Sequence, residues 1–260
     1  MTRVIINADD LGKDPVVNEA IADFLSKGLI TSSTMLANST TWEQVHSVVE
    51  ANPQASFGIH LNLTEGKALT RSSVLLKYGV VNNDNVFTKK IQQIREFDKT
   101  LIDAVFDEWA AQVEKVQLEE KISVSHIDGH HHVHTIPELE TVLLRIIDKY
   151  NIRAVRRNYS LPVSRLKEYY GIIRIILQGQ VNTVRWIKRI KSKSVTTDFF
   201  SSYEACVDYL KQNNTFPKNG SIELMCHPGH SRYVKESELI INKNLESFLP
   251  NIELINYNTL

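Results

Sequence analysis

Cysteine is scarce in this 260-residue chain: Cys206 and Cys226 are the only two. They cannot make a disulfide framework, and such usage points to a reducing compartment. Net charge is missing too, because 30 basic and 30 acidic residues cancel. That balance excludes a generally basic nucleic-acid binder and a generally acidic disordered tail. No apolar run approaches the roughly 18–20 residues that a transmembrane helix needs. The amino terminus reaches Asp9 and Asp10 too soon for a signal peptide. Internal repeats and low-complexity tracts are absent as well. What is present, 42% hydrophobic and 23% charged residues, suits a globular protein with an ample core, expected in the cytoplasm.

The pattern alternates strand and helix. Val4-Ile5-Ile6 reads as a strand ending at Asp9-Asp10, after which Asp14 and Pro15 look like the cap and first residue of a helix. Val17, Ile21, Phe24 and Leu25 then recur at helical spacing, and Gly28 stands where a terminating glycine belongs. Further strands are predicted at Ile30–Asn38, Ser56–Leu63, Ile122–Asp128, Ala154–Arg157, Thr196–Phe200, Ile222–Cys226 and Ile252–Tyr257. Helical patterns fall at Trp42–Ala51, Lys89–Leu118, Leu139–Tyr150, Arg165–Lys191, Tyr203–Lys211 and Glu236–Phe248. Seven or eight such units without a linker predict one parallel α/β domain over residues 1–260. A barrel is favoured over an open sheet because the polar clusters fall at strand C-terminal ends, the rim where barrel active sites are built.

Four clusters carry chemistry: Asp9-Asp10, His60 with Asn62, the run His126 to His134, and His227. The histidine run holds five of the nine histidines. In extended backbone, alternate residues share a face, so His126, Asp128 and His130 can project together toward a metal. The plain alternative is a surface tract that binds metal adventitiously. Acidic pairs before a helix often serve only as caps and dipole partners. Two carboxylates at a strand end can instead divide the labour of a hydrolase, one ligating metal and one taking a proton from the attacking water. Strand alternation puts His60 and Asn62 on one face and Ile59, Leu61 and Leu63 on the other. His227 ends an apolar strand on a Pro228-Gly229 turn. Taken alone, a strand histidine such as His60 is more often a hydrogen-bonded core or surface residue than a ligand, and His227 reads equally as a histidine at a turn.

Together, Asn7-Ala8-Asp9-Asp10-Leu11-Gly12, Gly58-Ile59-His60-Leu61-Asn62-Leu63-Thr64-Glu65-Gly66, His126 to His134 and Cys226-His227-Pro228-Gly229 resemble the YdjC-like (ChbG-type) carbohydrate deacetylases. The motifs stand in that family's order, and the similarity runs from near residue 1 to at least residue 230. The resemblance implies a distorted TIM-like (β/α) barrel of about seven parallel strands that removes the acetyl group from an N-acetylated sugar. It implies one divalent ion held by Asp10, His60 and His130, with Asp9 as base and His227 as the second acid/base group. Zinc or magnesium stand foremost, and the mixed nitrogen and oxygen donors also suit cobalt, nickel, manganese or iron. Arg156 and Asn62 are expected at the substrate, and Asp128 behind the ligands. Two departures stand out: Leu11 replaces a more usual Phe, and His230-Ser231-Arg232 replaces an aromatic and then an acidic residue.

Rival readings are a non-haem iron oxygenase, a metal-dependent phosphoesterase, and a catalytically silent sugar-binding or regulatory protein. Retention of Asp9 argues against the last, because a pure binder needs no base beside the metal. The segment Arg153 to Lys193 carries eleven basic residues and a single acidic one, Glu168. The plain reading is a solvated helix face, or packing or a homodimer contact. Because Ile172, Ile173, Ile175, Ile176 and Leu177 precede Trp186-Ile187-Lys188-Arg189-Ile190-Lys191, the interleaving predicts instead contact with a membrane surface or another anionic partner.

Overall fold

Strand β1 (Thr2–Leu11) pairs in parallel with β2 (Ser32–Met35) on one side and β7 (Ser221–Cys226) on the other. The row continues from β2 through β3 (Ser56–Leu61) and β4 (His126–Gly129) to β5 (Ala154–Val155), and from β7 to β6 (Phe199–Ser202). An eighth strand, β8 (Ile252–Leu254), lies along the first residues of β1. These assignments come from a computed structural model that describes residues 1–158, 160, 184–212, 215–216 and 219–260. Its seven-strand path curls into a half-barrel with helices outside, as the alternating pattern predicts. Single bridges, Ala154 to Val195 and Ser160 to Phe200, link the two edges.

Alternation along β1 separates two interiors. Val4, Ile6 and Ala8 join the main core under the helices. Ile5 faces the concave side and packs with Ala154, Ile255 and Tyr257 as an apolar floor. Above that floor the interior turns polar. Gly58 of β3 makes room there, since a Cβ on it would lie 2.5 Å from the His126 ring.

Local signals place the helices well. Asp14 accepts the Val17 N–H at 3.0 Å and caps Pro15–Ser26, a contact of about 1 kcal/mol. Trp42–Ala51 and Tyr203–Lys211 have the predicted bounds. The predicted helix Lys89–Leu118 is divided: a 3-10 turn at Lys90–Gln93 precedes Lys99–Glu114, which Asp98 caps, and a π turn follows. β4 begins at His126 rather than Ile122, and β5 ends at Val155.

Most of the basic segment, residues 161–183, lies outside the described residues. In the described helix 184–191, Trp186 and Ile190 are buried in the main core, so this apolar stripe faces inward. Arg189 pairs with Glu140 and Lys193 with Asp148, so these two charges are locally balanced. Among the described residues no helix is long and apolar enough to cross a membrane.

Candidate metal centre and active site

β1 carries two adjacent aspartates to one site by a bulge. Its register against β2 shifts between Ala8 and Leu11, and Asp10 takes a left-handed φ of 73°. In a regular strand Asp9 and Asp10 would face opposite sides; the extra residue turns both toward the cleft. Such a conformation costs a non-glycine residue about 1–3 kcal/mol, the kind of strain usually met at functional sites.

Asp10 Oδ1 lies 2.9 Å from His130 Nδ1 and 3.4 Å from His60 Nε2. All three side chains are buried, yet Asp10 Oδ1 makes no well-formed hydrogen bond. An ion about 2.1 Å from each donor would space neighbouring donors by about 3.0–3.4 Å. The distances therefore fit a divalent ion, and an orphaned buried carboxylate oxygen is the atom such an ion would satisfy.

A carboxylate backs each imidazole. His60 Nδ1 is 2.6 Å from Asp128 Oδ1, which directs the Nε2 lone pair toward Asp10. His130 Nε2 is 2.9 Å from Glu65 Oε2, leaving Nδ1 as its ligand atom. This arrangement sets tautomer and ring orientation in metal sites. Burial would push the His130 imidazole down, but its contacts with Asp10 and Glu65 win and raise it to about 9. The two carboxylates thus favour the charged form of the ring in the metal-free protein.

Behind the ligands sits one buried guanidinium. Arg156 meets Asp9 Oδ1 and Oδ2 at 2.6 and 2.8 Å, Asp128 at 2.8 Å and Glu223 at 2.7 Å. One positive charge against three carboxylates leaves excess negative charge in a dry interior, at several kcal/mol per uncompensated ion. Glu223 takes the strain: burial lifts its carboxyl to about 7. Burial also favours protonation of Asp9, but the Arg156 contacts outweigh it and hold Asp9 well below the usual carboxylate range. Tyr257 donates to Glu223 and stacks on His126, so the chain's C-terminal segment braces this node.

His227 follows β7. Glu236 accepts its backbone N–H at 2.8 Å and comes within 3.4 Å of its Nδ1. Burial opposes a charged ring here, yet Glu236, Asp9 and Asp10 push its pKa up. Asp9, Asp10, His60, His130 and His227 border one cleft of about 670 Å³, within the size range of small-molecule sites.

Over residues 3–249 the chain matches the profile of the family described as YdjC-like protein. The chain belongs to the YdjC-like family. A carbohydrate deacetylase of Clostridium beijerinckii is 29% identical, with 98% of each chain covered. A chitooligosaccharide deacetylase of Salmonella paratyphi C is 28% identical, covering 88% of this chain and 82% of the relative. A crystal structure of an Enterococcus faecalis V583 protein, named for cellobiose-phosphate cleavage, superposes with a TM-score of 0.74 at 22% identity, covering 99% and 98% of the two chains, which shows a shared fold.

In this YdjC-like protein two residues expected at the substrate lie elsewhere. Arg156 is fully buried and gives its donors to carboxylates, so it does not border the cleft. Asn62, also buried, accepts the Thr64 and Glu65 N–H groups and shapes the loop that presents Glu65. His126 is turned inward to Asn7, away from the candidate ligands. Reading from sequence missed Glu65, Glu236 and Glu223. Glu65 stands inside a quoted motif, one residue before its closing Gly66, whereas the other two stand in ordinary strand and helix patterns without a local signal.

Proposed function

We propose that the protein is a metal-dependent carbohydrate N-deacetylase acting on an N-acetylated mono- or oligosaccharide. The observation that carries this reading is the buried, unsatisfied Asp10 Oδ1 facing two imidazole nitrogens, next to a second carboxylate, Asp9, that also borders the cleft. The names of the relatives supply the substrate class.

Asp10, His60 and His130 would hold the ion. When bound, it would polarise the acetyl carbonyl and make a nearby water more acidic. Two imidazoles and one carboxylate suit zinc, cobalt or nickel better than magnesium. Asp9 accepts the proton of the attacking water. Its Oδ1 already takes bonds from Arg156 and Asn7, while Oδ2 takes the Arg156 bond alone, so the proton has a free lone pair at Oδ2. His227, whose pKa is raised, gives its proton to the departing amine. The parallel sheet argues against the oxygenase reading, since those enzymes usually use antiparallel double sheets.

Acetate release from a panel of N-acetylated mono- and oligosaccharides tests the reading, after chelation and after adding back one divalent ion at a time. The expected result is release that disappears on chelation and returns with metal. No release from any member, with metal bound one to one, would leave a sugar-binding protein on the same fold.

A further inference from the structure

The two oxygens of Asp10 have different surroundings. Oδ1 points to His60 and His130 without a well-formed hydrogen bond, whereas Oδ2 lies 3.0 Å from His230 Nε2. His230 belongs to the stretch that departs from the family pattern, and the roles assigned above make no use of it.

Its position is firmly built. Gly229 adopts a φ of 81°, and a Cβ there would lie 2.9 Å from the Val16 carbonyl oxygen, so the turn into His230 tolerates only glycine. The His230 ring stands edge-on to both His227 and Tyr233, with centroids 5.9 Å away in each case. Sitting on the cleft wall, the ring reaches Oδ2 of Asp10, whereas the candidate ligands His60 and His130 lie nearest Oδ1.

We propose that His230 is a positioning residue that limits Asp10 to one-oxygen coordination by donating its Nε2–H to Oδ2. The inference rests on Asp10, His60 and His130 being the metal ligands. A carboxylate can bind a cation through one oxygen or both. Using both would occupy a further position around the ion, which water and the acetyl oxygen need during hydrolysis. An N–H on Oδ2 disfavours that mode and turns the lone pairs of Oδ1 toward the imidazoles. Partners of this kind typically contribute about 10–100-fold to metal affinity.

The test is titration of the metal-free protein with Co²⁺, following affinity and the visible absorption of the bound ion, in wild type, His230→Gln and His230→Ala. Glutamine keeps an N–H donor near the Nε2 position, whereas alanine has none. Wild type and His230→Gln should bind one ion with similar spectra. His230→Ala should bind about 10–100-fold more weakly, with weaker visible bands as coordination number rises. Unchanged affinity and spectrum in His230→Ala would overturn the proposal while leaving the ligand assignment standing. So would a glutamine variant that behaves like alanine, or an alanine loss as complete as that of His60→Ala, which would make His230 a ligand. Failure of wild type to bind Co²⁺ would overturn the ligand assignment and this proposal together.

Discussion

Arg156 holds Asp9 through two parallel hydrogen bonds of 2.6 and 2.8 Å, and both side chains are almost wholly removed from solvent. Paired charge-assisted bonds fix orientation as well as ionisation. Asp9 is therefore an aimed carboxylate, ionised throughout the neutral range, and the Arg156 contact makes it a weaker base than a free aspartate. That weakness is tolerable only where the attacking water has itself been made more acidic.

Asp9→Asn keeps the shape and one acceptor but cannot take the proton. Turnover should fall by roughly 10²–10⁴, with metal content unchanged. Deacetylation kinetics and metal analysis on the same samples check this. Equal loss of metal would mean that Asp9 also ligates the ion.

Arg156→Met removes the one cation shared by Asp9, Asp128 and Glu223. Breaking a buried pair in this way costs about 3–5 kcal/mol, so urea unfolding at pH 7 should shift by that amount. The sign with pH is definite. A carboxyl held low in the folded state contributes stability above its unfolded pKa and loses it as pH falls through the folded one. The penalty of Arg156→Met should accordingly shrink under acid conditions.

The His130 imidazole is raised to about 9 in the metal-free protein, and a ligand nitrogen must be deprotonated. Metal uptake at pH 7 should therefore release close to one proton. Calorimetric titration in buffers of different ionisation enthalpy reads that number directly. The same shift makes a stability statement about the metal-free form. Its contribution is complete below pH about 6.5 and is lost as pH rises through about 9. His130→Ala should flatten that decline.

Glu236 raises the His227 pKa from a position outside the proposed reaction centre. Glu236→Gln preserves an oxygen for the backbone N–H while removing the charge. If protonated His227 donates to the leaving amine, activity falls as pH rises past its pKa. The alkaline limb of kcat/KM should then move to lower pH in Glu236→Gln. A limb that stays in place would assign it to another group.

Much of this architecture is written locally. Asp14 ahead of Pro15, the spacing of Val17, Ile21 and Leu25, and the apolar runs of β1 and β7 are signals within a few residues of one another, and each element forms as they specify. Alternation in β3 likewise sends Ile59 and Leu61 into the main core and His60 to the interior. Placing polar residues at strand ends follows from the same reading, because parallel strands present all their C-terminal ends on one rim.

Tertiary structure alone decided which polar residues meet. The bulge that turns Asp9 and Asp10 to one site depends on β1 pairing with β2, a contact between residues some 25 positions apart. His130 faces Asp10 while His126 turns to Asn7, since Gly58 leaves space for one ring and successive left-handed residues at His131 and His132 redirect the chain beyond the other. The burial of Arg156 among carboxylates from β1, β4 and β7 has no counterpart in its neighbouring sequence. Ionisation is the clearest case. The charge states of Asp9, His130 and Glu223 follow from desolvation and from partners tens to hundreds of residues away. Both act through distances that only the folded chain defines.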